Sequence, residues 1–305
     1  MKKFFIAIVA LAVAVSCSND DIISIDRQAI GFGNPFVENS VRADYSDGQE
    51  LTQFNVYGTV TGTAGTVNIF AGVPVTGTVG AAEWSYAEQY NQYWIPGAAY
   101  NFAAVVDATV ATSDAADTIG MPTTLTTTAD DNGNLNDMLY ATASVASAVA
   151  NQGVVGLTFA HMLSKVHFTV TSNATGGYHH NVTNITVANF ESGTYTIDGG
   201  TWAGTTAKPV AFANIENVTV NNTNGVSNAD LLLVPNAATF IVTFTVDLYK
   251  NGTKLGTETK TVAVENDLVK GNSYNFTIEC SVGNPIKFTV TNDPTWTDQP
   301  DVTVQ

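Results

Sequence analysis

The sequence predicts an all-β protein made of β-sandwiches, two of them in tandem. Three observations carry that prediction. The chain has 305 residues, which fits two domains of roughly 150 residues each. Its composition is that of strands and turns: 42 residues are Thr, and Asn and Gly are also frequent, Thr favouring strands and the other two favouring turns. Charged residues are only 12%, about half the usual share of roughly 25%, while the 45% apolar content is enough for two cores. Finally, apolar residues recur with period two in short runs closed by turn residues, as in a sandwich.

The N-terminus reads as an export signal. Lys2 and Lys3 precede an apolar run of 12 residues, 4–15, too short to span a bilayer. It ends at Ala14-Val15-Ser16-Cys17, small residues before a Cys, as in a lipobox, where the Cys is lipidated and becomes the mature N-terminus. The other reading is an ordinary secretory signal cleaved near Ser16. Residues 1–16 are then the signal peptide and 17–42 a leader. Ser18-Asn19-Asp20-Asp21 resembles the acidic surface-export signal of Bacteroides-type lipoproteins, which places the chain on the cell outer membrane, facing outward. If Cys17 carries lipid, Cys280 has no partner within the chain and is most simply a buried apolar residue.

Residues 20–49 are weakly patterned but hold the apolar stretch Ala29-Ile30-Gly31-Phe32. Leu51, Phe54, Val56 and Val60 begin a strand pair, and Val67-Asn68-Ile69-Phe70 is a further run. Trp84-Ser85-Tyr86 and Tyr93-Trp94-Ile95-Pro96-Gly97 read as a hairpin, and a strand follows over 100–106. Residues 109–136 read as a long loop, 141–150 as a short helix or an exposed strand, and 154–170 as strand. Strands are expected at 182–188 and 192–197, the latter before Gly199-Gly200. Leu231-Leu232-Leu233-Val234-Pro235 is a buried run. A long strand over 240–249 returns through Asn251-Gly252, the strongest type I′ hairpin signal in the chain, into 260–264. Strands at 274–278 and 286–290 complete the pattern. The boundary between domains falls near 161–165, giving 43–162 and 163–305.

The net charge of -16 and the scattered basic residues exclude a nucleic-acid binder, which needs a basic face. The chain has two arginines, Arg27 and Arg42, and none after them. An Arg-specific protease would therefore remove only a leader. Cutting after Arg42 takes Lys2, Lys3, Arg27 and Arg42 together with Asp20, Asp21, Asp26 and Glu38. That is four charges of each sign, so the remainder keeps -16. The low arginine count also has a plainer source, an acidic Thr-rich surface.

The run Leu157-Thr158-Phe159-Ala160-His161-Met162-Leu163-Ser164-Lys165-Val166 resembles the domain junction of the fimbrillin family, the type V pilus subunits of Bacteroides-type bacteria. Tyr93-Trp94-Ile95-Pro96-Gly97 with Tyr100 and Phe102, Leu232-Leu233-Val234-Pro235, and the run from Lys270 to Ile278 resemble it too, in order and spacing. The resemblance implies two transthyretin-like β-sandwich domains and a non-enzymatic, structural role in adhesion. It implies export as a lipoprotein and cleavage after an arginine by a trypsin-like protease, at Arg42 or else Arg27. The N-terminal strand then leaves a groove, and a C-terminal strand of the next subunit fills it, adding backbone hydrogen bonds and alternate apolar side chains. Residues 285–305 offer Ile286, Phe288, Val290, Trp296, Val302 and Val304 for that purpose. The first run could equally be the domain's own last strand. The partners implied are other pilus subunits, the protease and, before maturation, the outer membrane. A shaft subunit fits the C-terminal extension; tip and anchor subunits stay open.

Sites for chemistry are few. His161 and His167, and His179-His180, are not joined by Cys or acidic spacing that would complete a metal site, and structural or solvated roles are expected. No cofactor is expected. No nucleophile elbow or phosphate loop is present, and no pair of acids stands out for glycoside hydrolysis. Residues 130–137 are rich in oxygen ligands but lack the Gly and Glu of a calcium loop, and turn chemistry explains them. Trp84, Tyr86, Tyr90, Tyr93 and Trp94 are dense enough for a sugar-stacking platform, which keeps a monomeric glycan-binding lipoprotein as the alternative; the family resemblance favours a core role. Asp117-Thr118-Ile119 resembles the short O-glycosylation motif of these bacteria.

Overall fold

The structure is a computed structural model. It describes residues 28–38, 44–45, 49–78, 80–82, 84–130, 134–149, 152–220, 230–235, 240–265 and 267–293. The signal peptide, Cys17, Arg27, Arg42, Trp296, Val302 and Val304 lie outside the described residues. Within them the chain is all-β, with one three-residue 3-10 turn at Glu88–Tyr90.

The chain begins with β1 (Phe36–Val37) and the short pair β2 (Asp44–Tyr45) and β3 (Gln49–Glu50). Two long strands follow, β4 (Gln53–Gly62) and β5 (Gly65–Thr76), then β6 (Ala99–Val106), β7 (Thr109–Thr112), β8 (Pro122–Thr128), β9 (Leu139–Val145) and β10 (Thr158–His161). One sheet runs in the order β1-β10-β9-β6-β4-β5. Its alternation is that of a strand with one face buried: Phe54 and Val56 of β4 and Tyr100, Phe102 and Ala104 of β6 enter one core, with Trp84, Trp94 and Phe159.

One expectation changes here, and one alternative is decided. Residues 109–136 are not all loop, because β7 and β8 pair with each other, and β8 pairs with a later strand at 192–196. Thr is β-branched, and Leu125 and Thr127 alternate inward along β8, which outweighs the Asp and Gly around them. Residues 141–145 are strand, since β9 continues the β6 ladder from Leu139 to Val145.

The later strands are β11 (Ser164–Ser172), β12 (Tyr178–Thr196), β13 (Thr201–Ala211), β14 (Ile215–Val218), β15 (Leu231–Leu233), β16 (Phe240–Lys250), β17 (Thr253–Val264), β18 (Ser273–Cys280) and β19 (Lys287–Asp293). The strands expected at 182–188 and 192–197 are one 19-residue strand, β12, carried through a register shift at Phe190–Ser192. A bulge of that kind bends a strand without ending it. Asn251 and Gly252 both take positive φ, 51° and 82°, so the type I′ hairpin between β16 and β17 forms as the sequence signals.

One sheet, β15-β11-β18-β19, faces another, β17-β16-β12-β8-β7. Val166, Phe168, Phe276 and Ile278 from the first meet Val182, Val187, Val242 and Phe244 from the second in a single core. This is sheet-on-sheet packing. Phe276 meets Phe168 edge-on at 5.1 Å and stacks on Phe240 at 5.6 Å. A third cluster joins the two halves of the chain: Val105, Leu125, Met138, Met162, Leu163, Tyr195 and Val234.

Candidate functional site

The site is a groove with part of the chain's own N-terminal segment lying in it. Residues 28–38 run extended between two walls. On one side, antiparallel, Ile30 N–H donates to Gln92 O at 2.8 Å, Trp84 N–H to Phe32 O at 2.8 Å and Trp94 N–H to Gln28 O at 3.1 Å. On the other, Val155 N–H donates to Gly31 O at 2.8 Å, Gly33 N–H to Val155 O at 3.0 Å, Phe36 N–H to Leu157 O at 3.0 Å and Glu38 N–H to Phe159 O at 2.7 Å. β1 is parallel to β10 there. Bonds thus leave this segment to left and right, as from a central strand.

Its apolar side chains point into the core: Ile30, Phe32 and Val37 are buried. The Phe32 ring lies 5.8–6.0 Å from Phe54, Phe70, Tyr86 and Phe102, in edge-to-face arrangements that aromatic pairs favour. Tyr86 donates its hydroxyl to Ile30 O at 2.6 Å; burial raises the pKa of its phenol, partly offset by a backbone hydrogen bond. Burying three such apolar side chains contributes on the order of 5 to 9 kcal/mol before the cost of ordering the segment. The last described residue of the run, Glu38, stands four residues before Arg42.

This arrangement corrects the expected aromatic hairpin. Trp84 bridges Phe32, and Tyr93 bridges Ala29, so the two runs lie end to end along one side of the N-terminal segment and pair with it instead of with each other. A hairpin satisfies its own backbone only when nothing better lies alongside, and here residues 28–32 do. Trp84 and Trp94 are 2% and 3% exposed, so neither offers a face to a sugar. Of the five aromatics, Tyr90 and Tyr93 are the exposed ones.

At the other end, β19 pairs with β18 from Ser273↔Asp293 to Glu279↔Lys287. Ile286, Phe288 and Val290 pack half-buried on the chain's own core, Phe288 stacking on Phe244 at 5.9 Å. β19 is an edge strand.

The remaining candidates lie elsewhere in the fold. His161 Nδ1 lies 2.8 Å from Asp137 Oδ2, both buried, so Asp137 turns away from the acidic loop. Asp130 closes that loop's turn through Asn134 N–H, 2.8 Å from its Oδ1, and 131–133 lie outside the described residues. His167 Nδ1 faces Asp230 at 3.6 Å; burial lowers its pKa, against the raising effect of Asp230. His179 stacks on Tyr249. His180 is buried against Ser172, Oγ to Nδ1 2.7 Å. No group of three metal-ligating side chains converges among the described residues. Cys280 is buried at the end of β18, which pushes its thiol up to about 12. Asp117-Thr118-Ile119 lies on an exposed turn, Thr118 Oγ1 bonded to Ser113 Oγ at 2.8 Å.

Ile30 and Phe32 were visible in the sequence only as a short apolar stretch in a weakly patterned leader. Gly31 and Gly33 between them weakened the strand signal, although the alternation Ile-Gly-Phe-Gly is itself period two.

Comparison with known proteins settles the family. The fimbrillin-like family model matches residues 42–294. The chain belongs to that family. No curated protein matches it. Among solved structures it is similar to a fimbrial protein from Bacteroides vulgatus, with 14% identity over 88% of this chain and all of that one, TM-score 0.62. It is also similar to proteins proposed to act in cell adhesion. One, from Bacteroides uniformis, has 16% identity over 90% of this chain and 99% of that one, TM-score 0.55. Another, from Bacteroides ovatus, has 16% identity over 88% and 96%, TM-score 0.53. At these identities the likeness speaks for a shared fold. The fimbrillin match begins at Arg42, so residues 28–38 lie ahead of it and yet sit inside this chain's core.

Proposed function

We propose that this fimbrillin-like chain is the precursor of a pilus subunit that polymerises by strand exchange. In this reading the chain is exported as a lipoprotein on Cys17 and reaches the surface of the outer membrane. A trypsin-like protease cuts after Arg42. Two transthyretin-like sandwich domains, 43–162 and 163–305, remain, with the β7–β8 hairpin extending from the first onto the sheet of the second. Once residues 28–38 leave, Phe54, Phe70, Trp84 and Phe102 line an open groove, and a C-terminal strand of the next subunit fills it, drawn from Ile286, Phe288 and Val290 or from Trp296, Val302 and Val304.

The observation that carries this reading is the hydrogen bonding of residues 28–38 to both walls of the groove. A segment held that way is structurally a central strand, yet it belongs to the leader by sequence. Its removal leaves two unpaired edges and an apolar trough, a template for strand addition. Arg27 as the cut would leave the segment in place, so Arg42 is the site that opens the groove. A shaft subunit is the preferred role, with tip and anchor roles as variants of it. The glycan-binding alternative has only exposed Tyr90 and Tyr93 to stand on.

The test is proteolysis. An Arg-specific protease applied to the purified chain should yield a product beginning at Ala43 and a ladder of polymers on non-denaturing gels. A product that starts at Ala43 but stays monomeric under all loading concentrations overturns the strand-exchange reading.

A further inference from the structure

Gly31 and Gly33 alternate with Ile30 and Phe32, and one side chain lies over both. A Cβ on Gly31 would lie 3.2 Å from Val154 Cγ1, with nothing else within 4 Å, and a Cβ on Gly33 would lie 3.1 Å from Val154 Cγ2. Both distances are tighter than ordinary carbon contacts. Neither glycine takes a positive φ, so the backbone itself would accept an L side chain at either position. Val154, itself 43% exposed, is the side chain that meets both positions.

We propose that Val154 is a steric selector for the strand that occupies the groove. It admits an extended segment whose inward apolar residues are separated by glycine-sized ones, and it disfavours a segment with side chains at those positions. This rests on the groove being the strand-exchange site, and it names the kind of strand that the site takes. The chain supplies an informative contrast. Ile286-Lys287-Phe288-Thr289 repeats the Ile-x-Phe spacing of Ile30-Gly31-Phe32-Gly33, so its apolar residues match the pockets. Lys287 and Thr289, however, stand where the glycines do. The leader therefore holds the groove against the chain's own tail until it is cut away, and a tail strand enters only as Val154 swings aside.

Two experiments test the selector. In the full chain, Gly31→Ala and Gly31→Leu are melted with and without Val154→Ala, which removes both Cγ atoms. Gly31→Leu should lower Tm by several degrees and Gly31→Ala by less, because the added side chain must displace Val154. Val154→Ala should return at least half of each loss. Equal losses in both backgrounds, or no loss, would overturn the proposal; should Gly31→Leu fail to fold, the Gly31→Ala pair decides. In the second experiment, Arg-protease-cleaved chain is offered a peptide of residues 28–38 or the same peptide with Gly31→Lys and Gly33→Thr. The glycine peptide should bind about tenfold or more tightly, narrowing to about twofold on the Val154→Ala protein. Equal affinities on the unmodified protein would refute selection. Binding of neither peptide would count against the groove as an exchange site, while the melts judge Val154 independently.

Discussion

Phe32 is fully buried among four aromatic rings. Its removal leaves a cavity that neighbours on four sides cannot fill together. Phe32→Ala should therefore cost the uncleaved chain about 3–5 kcal/mol, read as a shift in the denaturant midpoint. Trp84→Ala should cost a similar amount, since its ring stacks on Phe54 at 5.5 Å. A Trp84→Ala chain that melts like the parent but loses sugar binding would instead favour the glycan reading. His180 gives a pH dependence. Burial, then His179, lowers its pKa below 6.5, so the folded state binds this proton less readily than the unfolded one. The Ser172 hydroxyl accepts from Ala174 N–H at 3.0 Å and can donate to His180 Nδ1, an arrangement suited to the neutral ring. The sign follows: stability is fully present above about pH 6.5 and falls as pH drops from there toward the lowered value. Thermal melts between pH 8 and pH 5 should show that loss, and His180→Asn should flatten part of it. A parent chain with unchanged Tm across this range would contradict it.

β19 shows where element boundaries were legible and where they were not. Its alternation was plain in the sequence, and so was that of β4, β6, β16 and β18, because period two with apolar partners on both sides survives without any knowledge of tertiary contacts. The Asn251-Gly252 turn was equally plain. What the sequence could not say is which edge a strand joins. β8 looked like loop because one of its two neighbours is the distant β12, 68 residues away in the Thr126–Thr194 pair, and residues 84–94 looked like a hairpin because the strand that both runs pair with, 28–32, lies far back in the sequence. The candidate site was less legible: Ile30 and Phe32 showed only as a short apolar stretch interrupted by Gly31, because the walls they pair with lie more than 50 residues away. β19 itself carries a prediction. It lies at a sheet edge, and its apolar residues are only half-buried on the core. Deleting residues 285–305 should lower stability by about 3 kcal/mol, roughly 1 for each of Ile286, Phe288 and Val290, yet leave a cooperative melt and no ladder after cleavage. Loss of the cooperative melt would make β19 an intrinsic strand of its own sandwich and remove it as a donor.

At the scale of the whole molecule, the proposed assembly would have to bring together copies that each carry -16. A cut after Arg42 would remove four charges of each sign, so the proposed maturation would open the groove without reducing this repulsion. The contacts that would hold a donated strand are backbone hydrogen bonds and apolar side chains, which salt barely weakens. The encounter of two acidic subunits is the salt-sensitive step. The screening length falls from about 30 Å at 10 mM salt to about 8 Å at 150 mM, so the long-range part of the repulsion is lost over this range. The rate of ladder growth after cleavage should therefore rise severalfold from 10 to 150 mM salt, while polymers already formed persist when the salt is diluted. Growth that slows as salt is added would mean that opposite charges steer the subunits together, and the acidic balance would then not be what limits polymerisation.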